Sequence, residues 1–419
     1  MNRRELQIDW PIVVLYLLLV LWGWTNIYAA SAKGVTSSIF NLEYNFGKQF
    51  IFILVALVVG VVVLTLDTKF LMLLAWPSYI GVILMLVLVL VLGREVNGSR
   101  SWIEIGSFRL QPAEFAKLGT ALAVTKYMAR FNFSLSNVGQ RFTLFAIIGL
   151  PAVLILLQGD TGSMLVFSAF FLMLYREGLA PIYLILVALT AFIAVLALLV
   201  NKFIVLGVVV GLTLLSLWLL FRWRYWVLHT VIGLSFSVFA FGVDLIVTRV
   251  LQPHQQHRLR TLFNPGNDPL GVGWNITQSK IAIGSGGLAG KGFMEGTQTK
   301  FDFVPQQDTD FIFCTVGEEY GWIGSLVLLT LYFLLLFQMV QMAENSKSRF
   351  ARIYGYSVAS IFFFHIAVNL GMTMGLAPVI GIPLPFFSYG GSSLLSFTIM
   401  VAILANLYNN RINILGYEN

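Results

Sequence analysis

The sequence predicts an all-α polytopic membrane protein: a single integral membrane domain over residues 1–419, with about twelve spans and one large extracytoplasmic loop. Three observations predict it. Apolar runs of about 20 residues, the length a helix needs to cross a bilayer, recur along the whole chain. Of its 419 residues 58% are hydrophobic and only 11% are charged, and mean hydropathy is +0.84, so no soluble domain of ordinary size is visible between the runs. The Lys and Arg residues sit near the ends of the runs, where they set topology. The formal net charge of +7 is modest, and its basic residues are scattered over loops on both sides of the membrane, which gives nucleic-acid binding no support. The single cysteine, Cys314, excludes a disulfide framework and a Cys-based metal site.

The first span is 11–30. Arg3 and Arg4 precede it and Ala30-Ser31-Ala32 imitates a cleavage site, but the run exceeds the apolar core of a signal peptide, about 7–15 residues, and a second span follows. An uncleaved helix with a cytoplasmic N-terminus is expected. Spans two and three are 49–66 and 70–92. A polar loop, 93–110, then carries Arg94, Glu95, Arg100, Glu104 and Arg109. The fourth span starts at Pro112, a good first-turn residue, and runs to Tyr127, with Lys126, Arg130 and Arg141 inside. The fifth, 142–158, ends in Gly159-Asp160-Thr161-Gly162; the sixth, 163–175, is closed by Arg176. Residues 181–250 have room for three spans, 181–200, 203–221 and 226–247, with Arg222 and Arg224 cytoplasmic. The loop 249–306 is then extracytoplasmic. Spans at 309–338, 353–375 and 393–409 follow, with Lys347, Arg349 and Arg352 inside, and both termini are expected in the cytoplasm.

One polar passage, Asn275 to Asp310, lies between two apolar runs. Its glycines, Gly284 to Gly292, are expected to let backbone approach a ligand, and Lys280, Lys291 and Lys300 add positive charge. Asp308 and Asp310 lead into an apolar helix, where carboxylates are functional candidates by default. Two residues apart, they point different ways. Asp308 suits a helix N-cap, which leaves Asp310 the stronger candidate for a general base. Glu114 and Lys117, three apart, share a helix face, either as a site pair or as an ion pair that fixes packing. Asp160 reads as a second acidic residue or as a turn and helix cap. Glu318 and Glu319 read as structural hydrogen-bonding groups, and His365 as a hydrogen-bonded core histidine. His254 and His257 have metal-compatible spacing, but two imidazoles alone make no site. Gly284 to Lys291 lacks the Walker spacing, which excludes a phosphate loop of that kind. The proline-rich loop Pro378 to Gly391 is expected to wall a cavity, where irregular backbone is tolerated at membrane depth.

Several of these stretches resemble the SEDS family (shape, elongation, division and sporulation), its elongation branch most closely. They are Gln278-Ser-Lys-Ile-Ala-Ile-Gly-Ser-Gly-Gly287, Gly290-Lys-Gly-Phe293, Gly296-Thr-Gln298, Thr309-Asp-Phe-Ile-Phe313, Gly317-Glu-Glu319, Gln111-Pro112 with Glu114 and Lys117, Asn97-Gly-Ser-Arg100 with Trp102, and Pro383-Leu-Pro385 with Ser388-Tyr-Gly-Gly-Ser392. The resemblance implies a peptidoglycan glycosyltransferase in the bacterial cytoplasmic membrane. Such an enzyme polymerises lipid II on the extracytoplasmic face, inverts the donor anomeric carbon and releases undecaprenyl pyrophosphate. It implies a class B penicillin-binding protein as partner, together with other elongation-complex membrane proteins. Its essential aspartate falls on Asp310, and its motif residues on Glu114, Lys117, Arg100 and Asp160. The growing charge on the pyrophosphate is expected to be met by Lys117, by Arg100 or by loop lysines such as Lys280 and Lys291. No cofactor is required by the pattern, though a divalent cation, Mg or Mn, would serve the same charge. The chain departs from the family pattern at Ala113, where Ser is usual, and at Asp308, where His is common. Ten family spans plus two inserted within 181–250 make up the twelve. A flippase for the same lipid-linked sugar, or a division or sporulation paralogue, is the alternative.

Overall fold

In a computed structural model the structure describes residues 9–31, 41–96, 98–106, 108–199, 202–219, 226–245, 272–301 and 303–410. Residues 249–271 of the loop expected at 249–306, with His254 and His257, lie outside them. The chain packs as two compact units. One comprises residues up to 178 and from 274 onward, the other residues 179–273.

The larger unit begins with α1 (Trp10–Ser31), α2 (Asn45–Thr65), a short α3 (Thr68–Leu73) and α4 (Ala75–Leu92). Next come β1 (Arg94–Val96), β2 (Ser99–Ile105) and β3 (Phe108–Leu110), then α5 (Pro112–Met128), α6 (Val138–Leu157), α7 (Thr161–Val166) and α8 (Phe170–Arg176), the last two joined by a 3₁₀ turn. The second unit holds α9 (Pro181–Leu199), α10 (Lys202–Leu219) and α11 (Trp226–Leu245), which pack on one another. The larger unit resumes with α12 (Val272–Ser285), α13 (Thr297–Lys300), α14 (Ile312–Glu319), α15 (Gly321–Glu344), α16 (Arg349–Thr373) and α17 (Gly391–Asn409).

Helical passages stand at all twelve expected positions. Among the described residues, seven (α1, α2, α4, α6, α15, α16 and α17) are single helices long and apolar enough to cross a membrane. The bundle has a graded interior. About three quarters of the apolar stretch of α16 and of α17 is buried, against less than half of α1, α2, α4, α6 and α15, whose outer faces are apolar and exposed. Lipid solvates such a face as well as protein does, so the outer helices need only one packed stripe. At the centre α5 buries nearly every residue. It owes this to small side chains: Gly119 lies against the backbone of Ser78 and Tyr79 on α4. Asn406 of α17 satisfies the open C-terminal end of α2, donating to the carbonyls of Val63, Leu64 and Leu66.

Two boundaries differ from expectation. The expected span 309–338 is broken at Tyr320, and Gly321 has φ +64°. A left-handed residue cannot continue a helix, so the span starts at Gly321 and α14 is a separate short helix. The loop 93–110 is a three-stranded antiparallel sheet, with Arg94 opposite Trp102 and Glu104 opposite Arg109. Glu104 links its outer strands, accepting from Arg94 at 2.7 Å and lying 3.2 Å from Arg109. The Arg94 hydrogen bond is the main reason its carboxyl titrates below the ordinary range.

Candidate active site

Asp310 stands in an irregular turn just before α14, half-buried. Gln306, at φ +60°, closes that turn, accepting from the amides of Thr309 and Phe311 at 3.1 and 3.2 Å. Three consecutive carbonyls of the turn are then gripped from outside. The Tyr389 amide donates to Asp308 O at 2.9 Å, the Ser388 hydroxyl to Thr309 O at 2.6 Å, and Asn369 Nδ2 to Asp310 O at 2.9 Å. The loop expected to wall a cavity is therefore, at Ser388 and Tyr389, a clamp on the aspartate turn.

Asp308 does not cap α14, contrary to expectation. The helix starts four residues later, at Ile312, and its first turn takes no side-chain cap. The Asp308 carboxylate instead accepts from Asn45 Nδ2 and, at 3.5 Å, from Ser31 Oγ, tying the turn to α1 and α2. The extra carboxylate is thus occupied in joining helices.

Glu114 and Lys117 form an ion pair in the bundle core, Nζ to Oε2 2.8 Å, with both side chains removed from solvent. Lys117 Nζ is also 2.8 Å from His365 Nε2 and lies over the Phe397 ring. His365 Nδ1 is 3.1 Å from the Pro383 carbonyl. A carbonyl only accepts, so Nδ1 carries the proton and Nε2 receives a Lys117 hydrogen; the network assigns a neutral imidazole. His365 and Asn369 are one turn apart on α16. They grip neighbouring carbonyls of one strand of loop, since Asn369 Nδ2 also donates to Ile382 O at 2.8 Å.

Asp160 caps α7, accepting from Ser163 N and Ser163 Oγ, and its Oδ2 also takes a hydrogen bond from Gln111 Nε2 at 2.9 Å. Gln111 immediately precedes α5, so Asp160 is joined to the helix that carries Glu114 and Lys117. Gly162 packs so closely on the Ile380 carbonyl that a β-carbon would not fit. Arg100 is exposed, 3.7 Å from Glu95, and its amide donates to the Gln158 carbonyl, which places β2 beside the Asp160 turn. Lys280, exposed on α12, lays its side chain against Gly375, just beyond the end of α16. Asp310, Glu114, Lys117 and Asp160 are thereby brought onto one frame of α5, α7, α16 and the loop 377–390.

Lys291 is placed differently. Its ammonium binds Glu318 Oε1 and Thr297 Oγ1, each at 2.8 Å. Glu318, wholly buried, also accepts from the amides of Gln298 and Thr299. Burial alone would raise this carboxyl, but the Lys291 and amide hydrogen bonds outweigh it and hold it below its ordinary value. Burial pushes neighbouring Glu319 the other way, to about 8. The glycine run serves this same junction. β-Carbons on Gly286 and Gly290 would strike the carbonyls of Gly317 and Glu319, and the amides of Lys291 and Gly292 donate to Glu318 O and Glu319 O. At Gly286 and Gly290, therefore, another piece of chain and not a ligand makes the expected close approach, whereas a β-carbon on Gly284 or Gly287 would meet open space. Among the described residues no group of three or more His, Cys, Asp or Glu is arranged to hold a metal ion.

Sequence reasoning missed Asn369 and Ser388 as individual contributors. A lone Asn inside an apolar helix, one turn after a His, was the available signal.

The FtsW/RodA/SpoVE family model, described as cell cycle protein, matches residues 9–206 and 204–413. Peptidoglycan glycosyltransferase MrdB of Escherichia coli K12 is 31% identical over 97% of this chain and 95% of its own length. Peptidoglycan glycosyltransferase RodA of Treponema pallidum is 35% identical over 78% and 81%. A chain from a structure titled as a peptidoglycan synthase complex coordinating polymerization and crosslinking superposes with TM-score 0.70 at 27% identity, over 97% of this chain and 98% of that one. The crystal structure of Thermus thermophilus RodA gives 0.62 at 25% over the same shares.

Proposed function

The chain belongs to the FtsW/RodA/SpoVE family, and from that premise we infer that it is a peptidoglycan glycosyltransferase that joins lipid II into glycan strands during cell elongation. Asp310 takes the proton from an acceptor sugar hydroxyl. That oxygen attacks the donor anomeric carbon from the face opposite the lipid pyrophosphate. Configuration inverts, and undecaprenyl pyrophosphate leaves without needing an acid, its growing charge met by preorganised cations. Arg100 and Lys280, both exposed, are the cations free of the core that suit this role. Lys117 acts from within the bundle, and Lys291 holds the loop through Glu318.

The observation that carries this reading is the grip on three successive carbonyls around Asp310. A base must be held within hydrogen-bond reach of the proton it abstracts, and an aspartate in a turn has no helix to hold it.

Charge supports an extracytoplasmic site and cytoplasmic termini. α5 runs from the site end at Glu114 to Lys126, and α16 runs from Arg349 to the site end at Asn369. The basic loops around Arg130, Arg141 and Lys347 therefore lie at the opposite end of the bundle, and positive loops stay inside. Likeness to a chain of a synthase complex supports a crosslinking partner, a class B penicillin-binding protein.

Purified protein with its partner and lipid II tests the activity. Glycan strands on a gel, with no requirement for a membrane to be crossed, are expected; translocation of lipid II without polymer would favour a flippase.

A further inference from the structure

We propose that Asn369 is a positioning residue for Asp310, and that His365, one turn earlier, is the corresponding positioning residue for Lys117. The inference rests on the reading of Asp310 as the base. It assigns α16 the task of registering the site's acid against its buried cation.

Asn369 is fully buried, and both hydrogens of its Nδ2 are spent, one on Asp310 O and one on Ile382 O. Both partners are carbonyls, so the orientation of the amide is fixed. Its Oδ1 is buried with no hydrogen-bond partner among the described residues. An unsatisfied buried acceptor is unfavourable. The arrangement is understandable if the two N–H groups matter more than the oxygen. They join Asp310 to Ile382, and hence to the loop whose Ser388 and Tyr389 hold the preceding two carbonyls.

His365 repeats the device. Its Nδ1 grips Pro383 O, the carbonyl next to the one Asn369 grips, and its Nε2 receives Lys117. Two residues at helical spacing thus read two adjacent carbonyls. Each then turns its other contact to a different charged group, Asp310 through its own carbonyl and Lys117 directly. A displacement of either side chain moves acid and cation relative to each other, while the span itself stays helical.

The test uses the full-length protein with its transpeptidase partner, polymerising lipid II. Asn369→Ala is expected to lower kcat by about 10–100-fold with KM for lipid II changed less than about twofold, the signature of a misplaced reacting group. His365→Ala should lose more than about tenfold, whereas His365→Gln, which keeps one donor and one acceptor, should stay within about threefold of wild type. Wild-type kcat in Asn369→Ala overturns the proposal. Equal losses in His365→Ala and His365→Gln also overturn it, and this pair decides if Asn369→Ala does not fold. An Asp310→Asn control separates the two readings. If that control polymerises normally, the base assignment falls. If it is inactive while Asn369→Ala is normal, the positioning role falls alone.

Discussion

Lys117 lies 2.8 Å from Glu114 with neither charge in contact with solvent. Withdrawing one charge of such a pair leaves the other buried and uncompensated, which costs about 3–5 kcal/mol, whereas replacing both can be neutral. Lys117→Met alone should therefore sharply reduce the yield and melting temperature of the detergent-solubilised protein. Lys117→Met combined with Glu114→Leu should recover most of the stability. Polymerisation by the stable double variant then separates a role in the reaction, which stays lost, from a role in packing alone, which is restored.

Glu318 gathers Lys291, Thr297 and the amides of Gln298 and Thr299 around one buried carboxylate. Hydrogen bonds to a charged group contribute about 1.5–3 kcal/mol each. Glu318→Gln presents a donor to other donors, and it should release the segment 291–300. Limited proteolysis should then cut near Lys291 or Lys300 at rates at least about tenfold above wild type.

Glu319 yields a pH prediction. Burial raises its carboxyl from 4.5 to about 8 in the folded protein. The unfolded chain ionises first as pH rises, so stability from this group is complete below about 4.5 and is lost up to about 8. Glu319→Gln should leave the melting temperature unchanged at pH 5 and raise it at pH 8.5. A melting temperature lowered equally at both values would contradict the assignment.

Gly290, at φ +82°, and Gly286 admit the carbonyls of Glu319 and Gly317. Gly286→Ala should cost about 1–3 kcal/mol through overpacking. Gly290→Ala should cost more, because strain in the backbone adds to the clash. Both are read as melting temperatures of purified protein.

How far the sequence disclosed this arrangement differs from element to element. Spans were legible because a bilayer imposes a length on every apolar run, and Pro112 marked the start of α5 to the residue. The sheet at 94–110 was not, since its strands are too short and charged to show a clear alternation. The acid pair at 308 and 310 was visible, but the capping role expected of Asp308 does not hold: an aspartate before a helix resembles a cap whether or not the helix starts there. The glycine run could not disclose whether ligand or chain fills the missing side chains. His365 was read correctly as hydrogen-bonded, yet its partner lies 248 residues away. No spacing rule reaches that far.

One substitution isolates the role of Asp310 as the base that joins the sugars. Asp310→Asn keeps the size of the side chain and removes only its basicity. With the partner bound and lipid II supplied, the variant should bind lipid II as wild type does and polymerise at least about 100-fold more slowly, at the scale of a lost general base. Glycan strands formed at the wild-type rate by folded, partner-bound Asp310→Asn protein would contradict the account.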